Sequence, residues 1–247
     1  MLELMVKAGL NAQEDWAYRR KLAVMCRIVG LQGSIGLFGH ISLRIPETDI
    51  ILITPGAGSE KTAVRADEIF VFDLAGKIHH HPGGDRPIQI PAEWRIHTQI
   101  HRDRPELGCV AHLHAQASTV LGIAGKTMVP VYARAAIFHA GVPTWNNPRL
   151  VLTDDMAQSL SRALGPHLAC QLRGHGSVVV GETPETALVA CTYIEENASF
   201  QLEAEALGSV IPLSPEELRD CRNNAFGIAP RLWDFWERRV ITAGLPL

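Results

Sequence analysis

A chain of 247 residues, 47% apolar and 20% charged, holds material for one large domain or two small ones with an ordinary globular balance. A formal charge of −3, with Lys and Arg scattered, excludes the concentrated basic surface that nucleic acid requires. No apolar run approaches the roughly 18 residues that suggest a membrane span.

The N-terminus carries Glu3 and an amphipathic stretch containing Trp16, not a basic region followed by an apolar one, so no signal peptide is expected. Residues 11–29 read as a helix, with Trp16, Leu22, Met25, Ile28 and Val29 at helical spacing. Gly33, Gly36 and Gly39 follow and lead into a short alternation, Ile41, Leu43, Ile45. Their GxxGxxG spacing after a helix does not qualify as a dinucleotide fingerprint. Ile50 to Ile53 and Ile69 to Phe72 have strand length and composition, and Asp73 to Lys77 reads as a hairpin turn. Pro82 to Asp85 is a loop, and Pro91 opens a helix running to about Arg102.

Gly108 to Leu113 is a buried strand, and Ala115 to Ala124 a returning helix. Thr153 or Asp154 caps another helix that ends at Gly165. Ser177 to Val180 is a further strand, and Thr183-Pro184 opens a long helix to about Leu207. Ser214 and Glu217 have capping-box spacing. Strands and helices interleave without a repeat or linker. One mixed domain over residues 1–213 is therefore expected, with a helical extension over 214–247. The five cysteines are separated and lack CxxC spacing, which reads as reduced thiols in a cytoplasmic protein.

Eleven histidines are the unusual feature of the composition. In Cys109-Val110-Ala111-His112-Leu113-His114, residues two apart on a strand share a face, so His112 and His114 project together while Leu113 points away. With Cα atoms about 7 Å apart, both imidazoles can reach one ion. The plainer reading is one hydrogen-bonded core histidine and one exposed. His175 sits between Gly174 and Gly176, which let the chain turn sharply beside a neighbouring strand end. Three histidines would leave a coordination position open, as a catalytic metal requires. Glu93, expected in the first helical turn before the His-x-His strand, suits a ligand or a proton-transfer group. A carboxylate favoured by a helix N-terminus explains it equally well.

Five segments in order resemble the class II aldolase/adducin family over about residues 15 to 210. They are Gly39-His40-Ile41-Ser42-Leu43-Arg44, Ile53-Thr54-Pro55-Gly56, Glu93 with His97, His112-Leu113-His114, and Arg173-Gly174-His175-Gly176. The resemblance implies a single three-layer α/β/α domain around a mainly antiparallel sheet. It implies a divalent ion on His112, His114 and His175, zinc first and manganese or iron as alternatives. Glu93 would be a ligand or proton-transfer group. Ring-shaped homo-oligomers, often tetramers, are also implied. Substrate contacts are expected from Gly39, His40, Ser42, Thr54 and Gly56, although a plain turn explains Thr54 to Ser59 equally well and His40 could simply complete a glycine turn.

Sugar-phosphate aldolases of this family have an asparagine at the His40 position and a Ser-Ser pair where Pro91-Ala92 stands. Without those donors a phosphate dianion would be poorly compensated for desolvation. Branches with Gly-His-x-Ser resemble decarboxylases of hydroxylated aromatic or ring-derived carboxylates. The expected activity is therefore decarboxylation of a non-phosphorylated acid of the dihydroxyphthalate kind, with His40 or Glu93 returning a proton to carbon. Aldol cleavage of a non-phosphorylated hydroxy-oxo acid is the alternative. A non-catalytic adducin-like scaffold, a dehydratase and an iron oxygenase rank lower. The expected partner is a small carboxylate, not nucleic acid or a membrane.

His79-His80-His81 reads as a solvated hairpin edge. His97 shares a helical face with Glu93 and His101 and is expected to buttress the site, whereas His101 and His139 read as packing or surface residues. Trp233 to Trp236 reads as a helix making a core or oligomer contact, or else an aromatic lid.

Overall fold

A computed structural model describes residues 9–82, 88–222 and 225–244. The loop expected after Pro82 falls mainly outside them. Seven α-helices occur among the described residues: α1 (Ala12–Leu31), α2 (Trp94–Asp103), α3 (Gln116–Ile123), α4 (Asp154–Leu164), α5 (Pro184–Leu207), α6 (Pro215–Arg222) and α7 (Ala229–Thr242). The strands are β1 (His40–Arg44), β2 (Ile50–Ile53), β3 (Phe70–Asp73), β4 (Ile78–His80), β5 (Cys109–Leu113), β6 (Thr144–Trp145), β7 (Ala169–Leu172) and β8 (Gly176–Gly181). They form one eight-stranded sheet in the order β4-β3-β2-β1-β5-β8-β7-β6. Every pairing is antiparallel except β6 with β7.

Helix ends follow local chemistry. The Asn11 side chain accepts from the Gln13 and Glu14 N–H groups, and Glu14 returns a bond to the Asn11 N–H. Thr183 caps α5, Pro184 occupies its first turn, and the helix stops at Gly208. Ser214 and Glu217 exchange the expected pair of bonds before α6. Short β6 and the 3-10 turn Ala133–Phe138 carry too few periodic residues to stand out in the sequence.

Alternation along β5 divides the interior into two layers. Cys109, Ala111 and Leu113 join the core that α1, α5 and α7 cover, whereas Val110 joins the core beneath α2 and α4. His112 shares Val110's face. α7 packs on α1 and α5 through Trp233 and Val240, within the same core as the rest, so Trp233 is a packing residue; Phe235 is half exposed. All five cysteines are free thiols. No described helix is long and apolar enough to cross a membrane.

The turn joining β7 to β8 runs through Gly174 at φ +69°, a backbone conformation costly for any residue with a side chain. At Gly176 a Cβ would lie 2.1 Å from the Leu113 carbonyl oxygen, because β8 approaches β5 that closely. Gly176→Ala should therefore cost about 1–3 kcal/mol, read as a lowered urea midpoint at unchanged slope. An unaltered midpoint would show that this contact is not tight.

Candidate active site

Strand register builds the site. Antiparallel pairing sets His40 of β1 opposite His112 of β5 and Ser42 opposite Val110, so His40, Ser42 and His112 share the face turned toward α2. From α2 come His97 and His101, four residues apart on one face, with Glu93 one turn earlier. The result is a buried polar lane between sheet and helix. His114 lies one residue beyond β5, its N–H bonded to the Ser34 carbonyl, and His175 occupies the β7–β8 turn.

His112, His114 and His175 each offer a ring nitrogen, and these lie within 4.8 Å of one another. Ring centroids are 4.7 Å apart for His112 and His114, 4.9 Å for His112 and His175, and 5.3 Å for His114 and His175. The His112 Nδ1 faces the Ser177 carbonyl at 3.2 Å, an interaction that fixes the proton there and leaves Nε2 bare. Nε2 of His112, Nε2 of His114 and both nitrogens of His175 are buried without hydrogen-bond partners. Such orphans are costly in a folded interior, and a divalent cation is the group that would satisfy all three rings. Burial also holds His112 down to about 3 and His114 below its ordinary value, so both favour the neutral form that metals bind.

Glu93 immediately precedes α2 and does not cap it. Its Oε1 accepts from the Val151 N–H at 2.7 Å, and Oε2 lies 3.6 Å from His112 Nε2 and 3.5 Å from His175 Nε2. Burial alone would raise its pKa, but the His175 and His112 rings and the Val151 N–H outweigh it and hold the carboxyl down to about 2. Glu93 is therefore a carboxylate aimed at the cluster. Ring nitrogens of His40 and His112 and a Glu93 oxygen also lie within 4.8 Å of one another.

The other residues expected at the substrate use their polar groups within the protein. The Gly39 N–H donates to the Ile35 carbonyl, and a Cβ there would meet the Ile35 and His112 oxygens. The Ser42 hydroxyl lies between His97 and His101, and Thr54 accepts from the Ile41 N–H. The Gly56 N–H donates to the Gln89 carbonyl, while Lys61 donates to the carbonyls of Pro55 and Gly56.

Lys61, the Val151 N–H and the Ser177 carbonyl carry no sequence signal. Lys61 is buried, feels the carboxylate of neighbouring Glu60, and lines a cleft of about 240 Å³ with Gly33, Gly36 and Glu60. Gly36 abuts His114. Of the two readings for His101, packing or surface, the fold gives packing: it is fully buried and bonded to Ser42. Its spacing from Glu93 and His97 was the available clue. His79 pairs with Asp73 at 2.8 Å, and His139 with Arg222 at 2.9 Å.

Residues 20–202 match the model of the Class II Aldolase and Adducin N-terminal domain, and the chain belongs to that family. It is 28% identical to a 3,4-dihydroxyphthalate decarboxylase of Terrabacter sp. (strain DBF63), covering 81% of this chain and 87% of that protein. A 3,4-dihydroxyphthalate decarboxylase of Arthrobacter keyseri is 26% identical, covering 80% of this chain and 83% of its own. The decarboxylase branch thus fits the chain. An aldolase II superfamily protein from Pseudomonas syringae shares the fold with a TM-score of 0.81 at 23% identity, covering 97% of this chain and 98% of that one.

Burial lowers the pKa of His40 and His97 well below 6.5 and of His101 to about 3. The folded state keeps these rings neutral, while the unfolded chain protonates them near 6.5, so below that pH the unfolded state binds more protons. Stability should fall on acidification by about 1.4 kcal/mol per pH unit for each ring. Glu93, with its pKa depressed, contributes stability that is fully present above about 4.5 and lost progressively as the pH falls from there through about 2. Urea unfolding at a series of pH values from neutral to about 5 checks the sign; a flat profile would contradict it.

Proposed function

We propose that the protein is a divalent-metal-dependent decarboxylase, a carbon–carbon lyase acting on a non-phosphorylated hydroxylated aromatic or ring-derived carboxylate of the dihydroxyphthalate kind. The supporting observation is the set of orphaned imidazole nitrogens on His112, His114 and His175, gathered beside the ionised Glu93. Relatives named as 3,4-dihydroxyphthalate decarboxylases point to the same reaction. Zinc is the first expectation for these ligands, with manganese or iron as alternatives. When bound, the ion supplies Lewis-acid stabilisation for negative charge on a substrate oxygen as the C–C bond breaks.

The protein's own groups handle binding and protons. In the reaction carbon dioxide departs and the ring carbon takes a proton in its place. Glu93, ionised and fixed by Val151, serves as ligand or proton acceptor, and His40 faces the substrate hydroxyl. The buried Lys61 ammonium gives the site a positive potential toward an anionic guest. Pro91, packed against Gly56, and Ala92 offer no side-chain donors to a phosphate, which favours a carboxylate over a sugar phosphate. Aldol cleavage of a non-phosphorylated hydroxy-oxo acid remains the second reading because Lewis-acid stabilisation serves both reactions. A homo-oligomer, a tetramer by family expectation, and a cytoplasmic setting complete the proposal.

Purified protein should contain about one divalent ion per chain and release carbon dioxide from dihydroxyphthalate-like acids. A chelator should abolish that release and a divalent metal restore it; release indifferent to chelation would rule the mechanism out. Glu93→Gln should lower kcat about 10²–10⁴-fold. His40→Asn should retain metal but depress turnover, and parent-like kinetics in that variant would remove His40 from the chemistry.

A further inference from the structure

Behind His40 runs a chain of buried polar groups that no ligand role for the three clustered histidines explains. His40 Nδ1 lies 2.7 Å from His97 Nε2, and His97 Nδ1 lies 2.7 Å from the Ser42 Oγ. The Ser42 Oγ is 2.9 Å from His101 Nε2, and His101 Nδ1 is 3.1 Å from the Leu107 carbonyl oxygen. All four side chains are buried.

The end of the chain sets its direction. A carbonyl only accepts, so His101 donates from Nδ1. Full burial keeps that ring neutral, which leaves its Nε2 as an acceptor for the Ser42 hydroxyl proton. With that proton spent on His101, the Ser42 oxygen accepts from His97 Nδ1. His97, also neutral, then has a bare Nε2 that accepts from His40 Nδ1. His40 is left with its proton on Nδ1 and a lone pair on Nε2. Each ring is held as the Nδ1–H tautomer, the less common one for imidazole in water.

We infer that Ser42, His97 and His101 are positioning residues that lock His40 in the tautomer presenting a bare Nε2 to a hydroxyl of the substrate. Given the decarboxylase reading on which this rests, His40 begins the cycle as a proton acceptor, and the substrate class narrows to acids with a hydroxyl adjacent to the departing carboxylate. That hydroxyl gives its proton to Nε2, and His40 returns the same proton to the ring carbon bearing the carboxylate. The C–C bond breaks, its electron pair restores the aromatic ring as a phenolate, carbon dioxide leaves, and water supplies the phenolate's proton.

Long-range ¹⁵N–¹H spectra of the full-length protein with ¹⁵N-labelled histidine distinguish protonated from bare ring nitrogens, and His40→Asn identifies the His40 signals. Expected are protonated Nδ1 and bare Nε2 on His40, His97 and His101. A proton on His40 Nε2 in the resting protein overturns the inference. Ser42→Ala should give His40 mixed tautomers and lower kcat on a dihydroxyphthalate about tenfold, with KM within about twofold and unchanged metal content. A His40 still wholly Nδ1-protonated in that variant, with parental kcat, also overturns it. The spectra need no substrate. If the locked tautomer is present in a protein that releases no carbon dioxide, the chain of bonds stands and the proposed reaction fails.

Discussion

An imidazole carries two polar nitrogens, and burying either without a partner is costly. This constraint sorts the histidines of the lane between β1, β5 and α2. His97 and His101 meet it within the fold, His97 through His40 and Ser42, His101 through Ser42 and the Leu107 carbonyl. His112, His114 and His175 do not, and their bare nitrogens converge. Buried polar groups left over in a well-bonded interior mark the place where a guest completes the structure. The same residue type therefore forms a rigid wall on one side and a receptive cluster on the other.

The wall and the cluster are joined at His40. Its Nδ1 is tied to the rigid set, and its ring stands 5.1 Å from that of His112 in the receptive set. Its position depends on a backbone approach: Gly39 passes so near the Ile35 and His112 carbonyl oxygens that no side chain fits there. The loop beyond β2 is held by Lys61 through the Pro55 and Gly56 carbonyls. A site built this way is stiff before any ligand arrives, which suits chemistry that needs charge and proton acceptors placed in advance.

Family membership and local geometry bear on different questions. Membership accounts for the fold and for the order of motifs along the chain. It leaves the guest open, since family relatives include both decarboxylases and phosphate-directed aldolases. The distinguishing features are local: a histidine at position 40, and Pro91-Ala92 where phosphate donors would be wanted. In the proposed reading, both change which hydrogen bonds a substrate can make without disturbing the sheet.

Helices with strong caps are legible from the residues alone, because Asn11, Thr183-Pro184 and Ser214 act on their neighbours. The sequence shows the shared face of His112 and His114, because strand alternation is a local property. It also marked His175 through its flanking glycines. What these residues meet is set by the folded arrangement. Glu93 reads in the sequence as a ligand or proton-transfer group or, equally, as a helix-start carboxylate, and the fold adds its anchor, the N–H of Val151 fifty-eight positions away. Ser42, Thr54 and Gly56 are expected at the substrate, and the fold adds the internal partners they bond: His97 and His101, the Ile41 N–H and the Gln89 carbonyl. His101 looked unremarkable, yet it ends the buried chain on Leu107. The deciding partners lie outside the strand or helix that carries each residue, Val151, Gln89 and Leu107 in loops among them, and which segments meet across the fold is not encoded in local spacing.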